Sequence, residues 1–238
     1  MNWSIVGWVV IGLSALMLVI FSLIGKKPDF YSIRRSVSSE GLKKAQTAAI
    51  ERGQPRLIAI GDQFWSRTYP GLGLHAVTAL PILANAENIA DGGLSVSCGD
   101  GSLVVLARQI VQSDYVNGFS MELSNPRVRT ILPGPTQLSY SVGLLSELGL
   151  QKYGSIALLG NYGPAAILWT EAVQSKGGYA FAAAGSLTSQ AALLFNVRDL
   201  VIGESVFSTA GLLTSNEVDQ TRWLTEDILR VLLILSLI

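Results

Sequence analysis

One cysteine and one histidine are all that this 238-residue chain holds of the side chains that supply thiolate or imidazole chemistry. Cys98 alone forms no internal disulfide, and no CxxC or Cys/His cluster offers a zinc or iron–sulfur site. His75 has no GxSxG elbow to serve, as a Ser-His-Asp hydrolase would require, and Cys98 at a strand end reads as a small core residue. Charge is scarce as well. The 17 basic and 17 acidic side chains make up 14% of the residues, against about 25% in ordinary soluble domains. The two signs cancel, so there is no basic surface of the kind nucleic acid needs, and nucleic acid is not an expected partner. No credible set of acid, base and nucleophile emerges, so the reading leans away from an enzyme. It assigns no catalytic or metal-binding residue and leaves any cofactor unknown.

The missing charge has a location. Residues 1–25 carry no ionisable side chain, and Ile5 to Ile24 is a run of 20 mostly apolar residues. As a helix this run measures about 30 Å, the thickness of a bilayer's hydrocarbon core. Trp3 and Trp8 stand near one end, and Lys26 and Lys27 close the other. A signal peptide carries its positive charges before a shorter apolar stretch; here they follow it, so a retained transmembrane anchor is expected. With Arg34 and Arg35, the two lysines place the following domain in the cytoplasm by the positive-inside rule. At the other end, after Glu226, Asp227 and Arg230, residues 231–238 are almost wholly apolar. As a helix they span about 12 Å, too short to cross. They read as the start of a second membrane helix or as a short end dipping in beside the first. The former is preferred because nothing caps or terminates the helix. The expected division is an anchor at 1–25, a linker and leading helix at 26–55, an α/β domain at 56–215, and a membrane-entering helix at 216–238.

Between the ends, short apolar runs stopped by Gly or Pro alternate with stretches of helical period. Strands are expected at Leu57–Ile60, Leu94–Cys98, Val128–Leu132, Ile156–Leu159, Tyr179–Ala183 and Leu200–Ile202. A helix is expected at about 73–90, kinked or restarted at Pro81. After Ser102 as N-cap, Leu103, Leu106, Ala107, Ile110 and Val111 mark one helix face. Leu138, Val142, Leu145 and Gly149 mark the next, and Ala165, Leu168, Trp169, Ala172 and Val173 the one after Pro164. A further helix follows Gly185-Ser186 to about 195, and a last one runs through Val206, Ala210 and Leu213. Asp91-Gly92-Gly93 before one strand and Gly101-Ser102-Leu103 after it recur as Lys176-Gly177-Gly178 and Gly185-Ser186-Leu187, at offsets of 85 and 84 residues. Six strands alternating with helices, in two βαβαβ halves, predict a doubly wound, Rossmann-like parallel sheet.

The order of a membrane run, IERGQPRLIAIG, GNYGPAAILWTEA, DLVIGESVFSTAGLL and LTEDILRVLLILSLI resembles an uncharacterised bacterial membrane-associated α/β domain family. Its members keep a GEELFAAGAYL-like segment before a C-terminal transmembrane helix. The likeness covers most of 40–238 and is most specific at Gly203-Glu204, Ala210-Gly211-Leu213, Asp227 and Arg230. The chain departs from the pattern with Ser205 in place of a second acid and with an expanded turn at 62–72. The resemblance implies membrane attachment through both ends and brings no activity with it.

The ends of the strands supply the candidate binding residues. In a doubly wound sheet they line one crevice, which gathers Asp62, Asp100, Ser102, Gly160, Asn161, Gly163, Ser186 and Glu204. Oxygens of Asp62, Asp100 and Glu204 could hold Mg²⁺ or Ca²⁺, but acids at helix starts also cap N–H groups without any ligand, and capping is favoured. Gly71-Leu72-Gly73-Leu74-His75-Ala76 fits GxGxxA. Its second glycine pair stands ten residues beyond the strand, where a helix-entry turn is the better account. Gly160-Asn161-Tyr162-Gly163 is a correctly placed Gly-rich turn without the Lys-Ser/Thr of a P-loop. Phe64, Trp65 and Tyr69 make the expanded turn unusually aromatic, fit either for contact with a neighbour or for folding back on the core. The sequence therefore predicts a membrane-anchored assembly protein, a homo-oligomer or a subunit of a larger membrane complex. The alternative is a sensor that binds a small molecule or nucleotide in the strand-end crevice.

Overall fold

The computed structural model describes residues 37–61, 71–84, 93–118 and 128–209, together with helical positions at Trp8, Gly12 and Leu16. The chain divides into two units, one of residues 36–213 and one of residues 1–35 with 214–238. The expected anchor, the apolar tail and the aromatic turn at Phe64, Trp65 and Tyr69 lie outside the described residues, apart from the three N-terminal helical positions. Among the described residues no helix is long and apolar enough to cross a membrane.

The larger unit is an α/β fold on a six-stranded, wholly parallel sheet. In chain order the elements are α1 (Val37–Glu51), β1 (Arg56–Ile60), α2 (Leu72–Thr78), α3 (Leu80–Ala84), β2 (Leu94–Cys98), α4 (Gly101–Gly118) and β3 (Val128–Ile131). There follow α5 (Gln137–Leu150), β4 (Ser155–Gly160), α6 (Ala166–Gln174), β5 (Tyr179–Ala184), α7 (Leu187–Leu194), β6 (Asp199–Val201) and a 3₁₀ turn, Gly203–Ser208. The strand order is β3-β2-β1-β4-β5-β6, with every neighbouring pair parallel. This is the order of a Rossmann-type sheet, in which the chain reverses its direction of growth between β1 and β4.

A parallel sheet is covered on both faces, so its inner strands must be apolar on both. β1, β2 and β4 are buried at every position, while the edge strands β3 and β6 are only partly so. On one face Ile58, Ile60, Ala157, Leu159, Phe181 and Ala183 pack under α1 to α4. On the other, Leu57, Ala59, Ile156, Leu158, Ala180 and Ala182 pack under α5, α6 and α7. Helix α1 takes the part of the first face over β4, β5 and β6 through Leu42, Gln46 and Ala49, a stripe at helical spacing.

The strands fall within about a residue of their expected limits; the helices depart further. The described part of the helix expected at 73–90, up to Ala84, is two helices broken at Ala79, with Pro81 in the first turn of α3, where its missing N–H is harmless. On α4 the cap is Asp100, not Ser102, because the helix begins at Gly101. The expected inner stripe of α5 is largely its outer side. Leu138 and Val142 face solvent, and Tyr140, Ser141, Leu144 and Leu148 are buried. On α6 Trp169 and Val173 point inward as expected, but Leu168 is exposed. The Gly-Gly pairs do precede equivalent strands, β2 and β5; Gly93, directly before β2, is left-handed, whereas before β5 it is Gly177, one residue further from the strand.

Candidate functional site

At the carboxyl ends of β1 and β4 two turns touch. Gly160 has φ +125°, and a Cβ there would lie 3.0 Å from the Gly61 carbonyl oxygen. Tyr162 then folds under the sheet end. Its hydroxyl donates to the Ala59 carbonyl and accepts from the Leu159 N–H at 3.0 Å, joining the two strands. The ring covers Gly61, whose added Cβ would meet it at 2.4 Å. At Gly61, the residue directly after β1, the space beside the backbone is thus filled by an aromatic ring, close to where a dinucleotide's pyrophosphate approaches in a nucleotide-binding sheet. Gly71 is the N-cap of α2 and Gly73 lies buried within it, so the GxGxxA segment is a helix start.

Beside Tyr162, between the β3–α5 loop and the β4–α6 turn, lies a small cleft of about 20 Å³, open to solvent and with clear space for about one water-sized group. Its aromatic wall is Tyr140, Tyr162 and Trp169, packed edge to face at centroid distances of 5.5 and 5.4 Å. The polar groups of that wall are used inside the fold. Ser97 Oγ donates to the Tyr140 hydroxyl at 2.8 Å, and Trp169 Nε1 donates to the Ser141 carbonyl at 3.4 Å. Burial raises the Tyr140 and Tyr162 hydroxyls well above the ordinary tyrosine range, so both stay neutral.

The opposite wall comes from Pro135, Thr136 and Gln137. Thr136 accepts from the Ser139 N–H at 3.2 Å while Ser139 Oγ accepts from the Thr136 N–H at 2.9 Å, a reciprocal cap that fixes the start of α5. Gln137 lies against Gly163, where an added Cβ would meet Nε2 at 1.9 Å. Among the described residues no charged side chain lines the cleft. Asn161 does, and its Oδ1 is buried without a hydrogen-bond partner. A buried acceptor left in that state costs about 1–3 kcal/mol.

Of the eight expected crevice residues, the structure brings Asn161 and Gly163 together in this cleft, with Gly160 adjoining. Asp100 and Ser102 serve helix α4: Asp100 Oδ1 accepts from the Ser102 N–H and hydroxyl, both at 2.8 Å. Ser186 caps α7, accepting from the Ser189 N–H at 3.2 Å, and donates to the Tyr162 carbonyl at 2.7 Å. Asp62 and the Glu204 side chain lie outside the described residues; the Glu204 backbone sits in the 3₁₀ turn. Among the described residues no three His, Cys, Asp or Glu side chains group as a metal site. Burial, with a smaller contribution from Asp100, pushes the Cys98 thiol up to about 12, which keeps it protonated and unreactive. Thr136 and Gln137 were not anticipated; the T-x-x-S spacing after Pro133-Gly134-Pro135 was their available signal.

No family model, curated protein or solved structure matches the chain.

Proposed function

We propose that the chain is a membrane-tethered α/β assembly module, forming a homo-oligomer or joining a larger membrane complex through the outer surface of α5, α6 and α7. The observation that carries this reading is the chemistry of that surface. The three helices hold only two ionisable residues, Glu147 and Glu171. They turn Leu138 (76% exposed), Val142 (59%), Leu168 (52%) and Leu187 (76%) to solvent. α7 ends in exposed Leu194 and Phe195, which with Leu200, Ile202, Asn196 and Arg198 line an open groove of about 460 Å³ near edge strand β6. Exposed apolar surface of this kind marks contact with another protein or a membrane.

The tether rests on the uncharged run Ile5–Ile24 and its flanking lysines, and on the resemblance to a membrane-associated family. Confinement to a plane raises the effective concentration of copies and favours lateral contacts, while a net charge of zero leaves no overall repulsion between them. The α/β domain is then cytoplasmic, with the bilayer as its first partner.

The test is the protein mass of the full 25.4 kDa chain in mild detergent, measured by light scattering with the detergent contribution subtracted. A discrete multiple of the chain mass at micromolar concentration is expected. A monodisperse monomer, together with no partner subunit retained on mild solubilisation of the native membrane, overturns the reading.

A further inference from the structure

The turn from α7 into β6 pushes two large apolar side chains outward and holds them there. Leu193 and Val197 anchor the turn in the core, and the N–H groups of Asn196 and Val197 both donate to the Leu193 carbonyl, at 3.0 and 2.8 Å. The Asn196 amide bonds the Thr170 hydroxyl at 2.9 Å and so turns inward. Leu194 and Phe195 stay outside, Phe195 at 88% exposure, with exposed Arg198 and Ile202 beside them. Asp199, the next residue in the chain, does not neutralise Arg198; its carboxylate lies on the opposite face of the sheet, against Gly41 of α1. The turn therefore presents a fixed apolar tip with a cation at its side.

Area and charge set this tip apart from the rest of the α5–α7 surface. Four side chains of this size offer on the order of 500 Å², whereas each partner in a standard protein interface gives about 800 Å². A twofold contact between copies would bring two Arg198 cations into one patch. A bilayer makes neither demand. In an anchored chain it only adds to an attachment that already exists, an apolar tip enters the headgroup boundary, and anionic headgroups complement the cation. The tip's place in the fold agrees. α1 begins over β6 and the chain leaves β6 through the 3₁₀ turn, so both connections towards the apolar ends start at this edge of the sheet. Residues 25–36, which join the apolar run to α1, reach at most about 40 Å when extended. We propose that the α7–β6 tip, formed by Leu194, Phe195, Arg198 and Ile202, docks on the anionic headgroup surface of the membrane that holds the anchor. This rests on the tether in the reading above and not on the assembly, since a monomer would dock as well as an oligomer.

The test uses the full chain in phospholipid nanodiscs loaded with one copy each, so that no second copy can cover the tip. Phe195→Cys carries an environment-sensitive fluorophore, and buried, protonated Cys98 takes none. Val105→Cys, exposed on α4 of the opposite face, is the control. Circular dichroism and melting temperature show that the variants are folded. In discs with about 30% phosphatidylserine, lipids spin-labelled just below the headgroup should quench the label at 195 at least about twofold more than the label at 105. Arg198→Gln should lower the ratio of docked to undocked tips about fivefold, the worth of one basic residue near an anionic surface. Equal quenching at 195 and 105 overturns the proposal. So does a label at 195 that is dry yet unquenched, as under a protein partner, or quenching that ignores both Arg198→Gln and the removal of phosphatidylserine. A chain that does not enter the discs overturns the tether and the docking with it. Monomers in detergent together with a quenched tip in discs would end the assembly reading and keep this one.

Discussion

Helix α1 turns Glu40, Lys43, Lys44 and Glu51 to solvent, whereas α5, α6 and α7, more than twice its length together, have only Glu147 and Glu171. The two faces also differ beneath their helices. Under α1 to α4 the buried core is mainly aliphatic, with Phe181 its one buried aromatic among the described residues. Under α5 to α7 it contains Tyr140, Tyr153, Tyr162 and Trp169. Both faces meet the demand that a parallel sheet be covered on each side. Charge is denser on α1 than on α5 to α7, so within the described residues it is not spread evenly.

The largest effect should come from the aromatic core. Trp169→Ala removes the ring held between Tyr140 and Tyr162 and the indole N–H that reaches the Ser141 carbonyl. It should cost about 3–5 kcal/mol in chemical denaturation. Leu42→Ala, the anchor of α1 on the opposite face, should cost about 2–3 kcal/mol. A larger loss at Leu42 than at Trp169 would reverse the comparison.

Alkaline pH gives a smaller and more gradual test. Burial raises the Tyr153 hydroxyl from 10.0 to about 12, and the Cys98 thiol from 9.0 to about 12. The folded state thus keeps protons that the unfolded chain releases, so the associated stability is complete below about pH 9 and is lost as pH climbs towards 12. Tyr153→Phe, on the aromatic face, should lose less stability between pH 9 and 12 than the unaltered protein. An identical pH profile in that variant would remove Tyr153 from the account.

The strands were legible because a doubly covered strand must be a short, continuous apolar run, and Leu57–Ile60 or Ile156–Leu159 allow little else. The halves were legible from the recurrence of Gly-Gly before β2 and β5. The facing of α5 was not. It carries Leu138, Val142 and Leu145 as well as Tyr140, Leu144 and Leu148, so apolar spacing marks two sides and cannot say which is inside. Tyr140 is the inner residue because its hydroxyl has Ser97 to meet on β2, a contact 43 residues away in sequence. The same distance hid half of the cleft. Asn161 and Gly163 stand in a turn that advertises itself, while Gln137 joins them only through the crossover from β3 to β4. Asp100 and Ser186 were correctly placed at helix starts, and there they cap helices.

The central claim is that one face of this sheet is an assembly surface and the other is not. Its most direct test places a charge on each in turn and measures the mass of the full chain in mild detergent. Val142→Glu with Leu187→Glu, both on exposed positions of the α5–α7 face, should reduce the assembly to monomers while the melting temperature stays within a few degrees. Val105→Glu, equally exposed on α4 of the opposite face, should leave the mass unchanged. An assembly that survives the double change, or one that Val105→Glu dissolves as readily, would contradict the account.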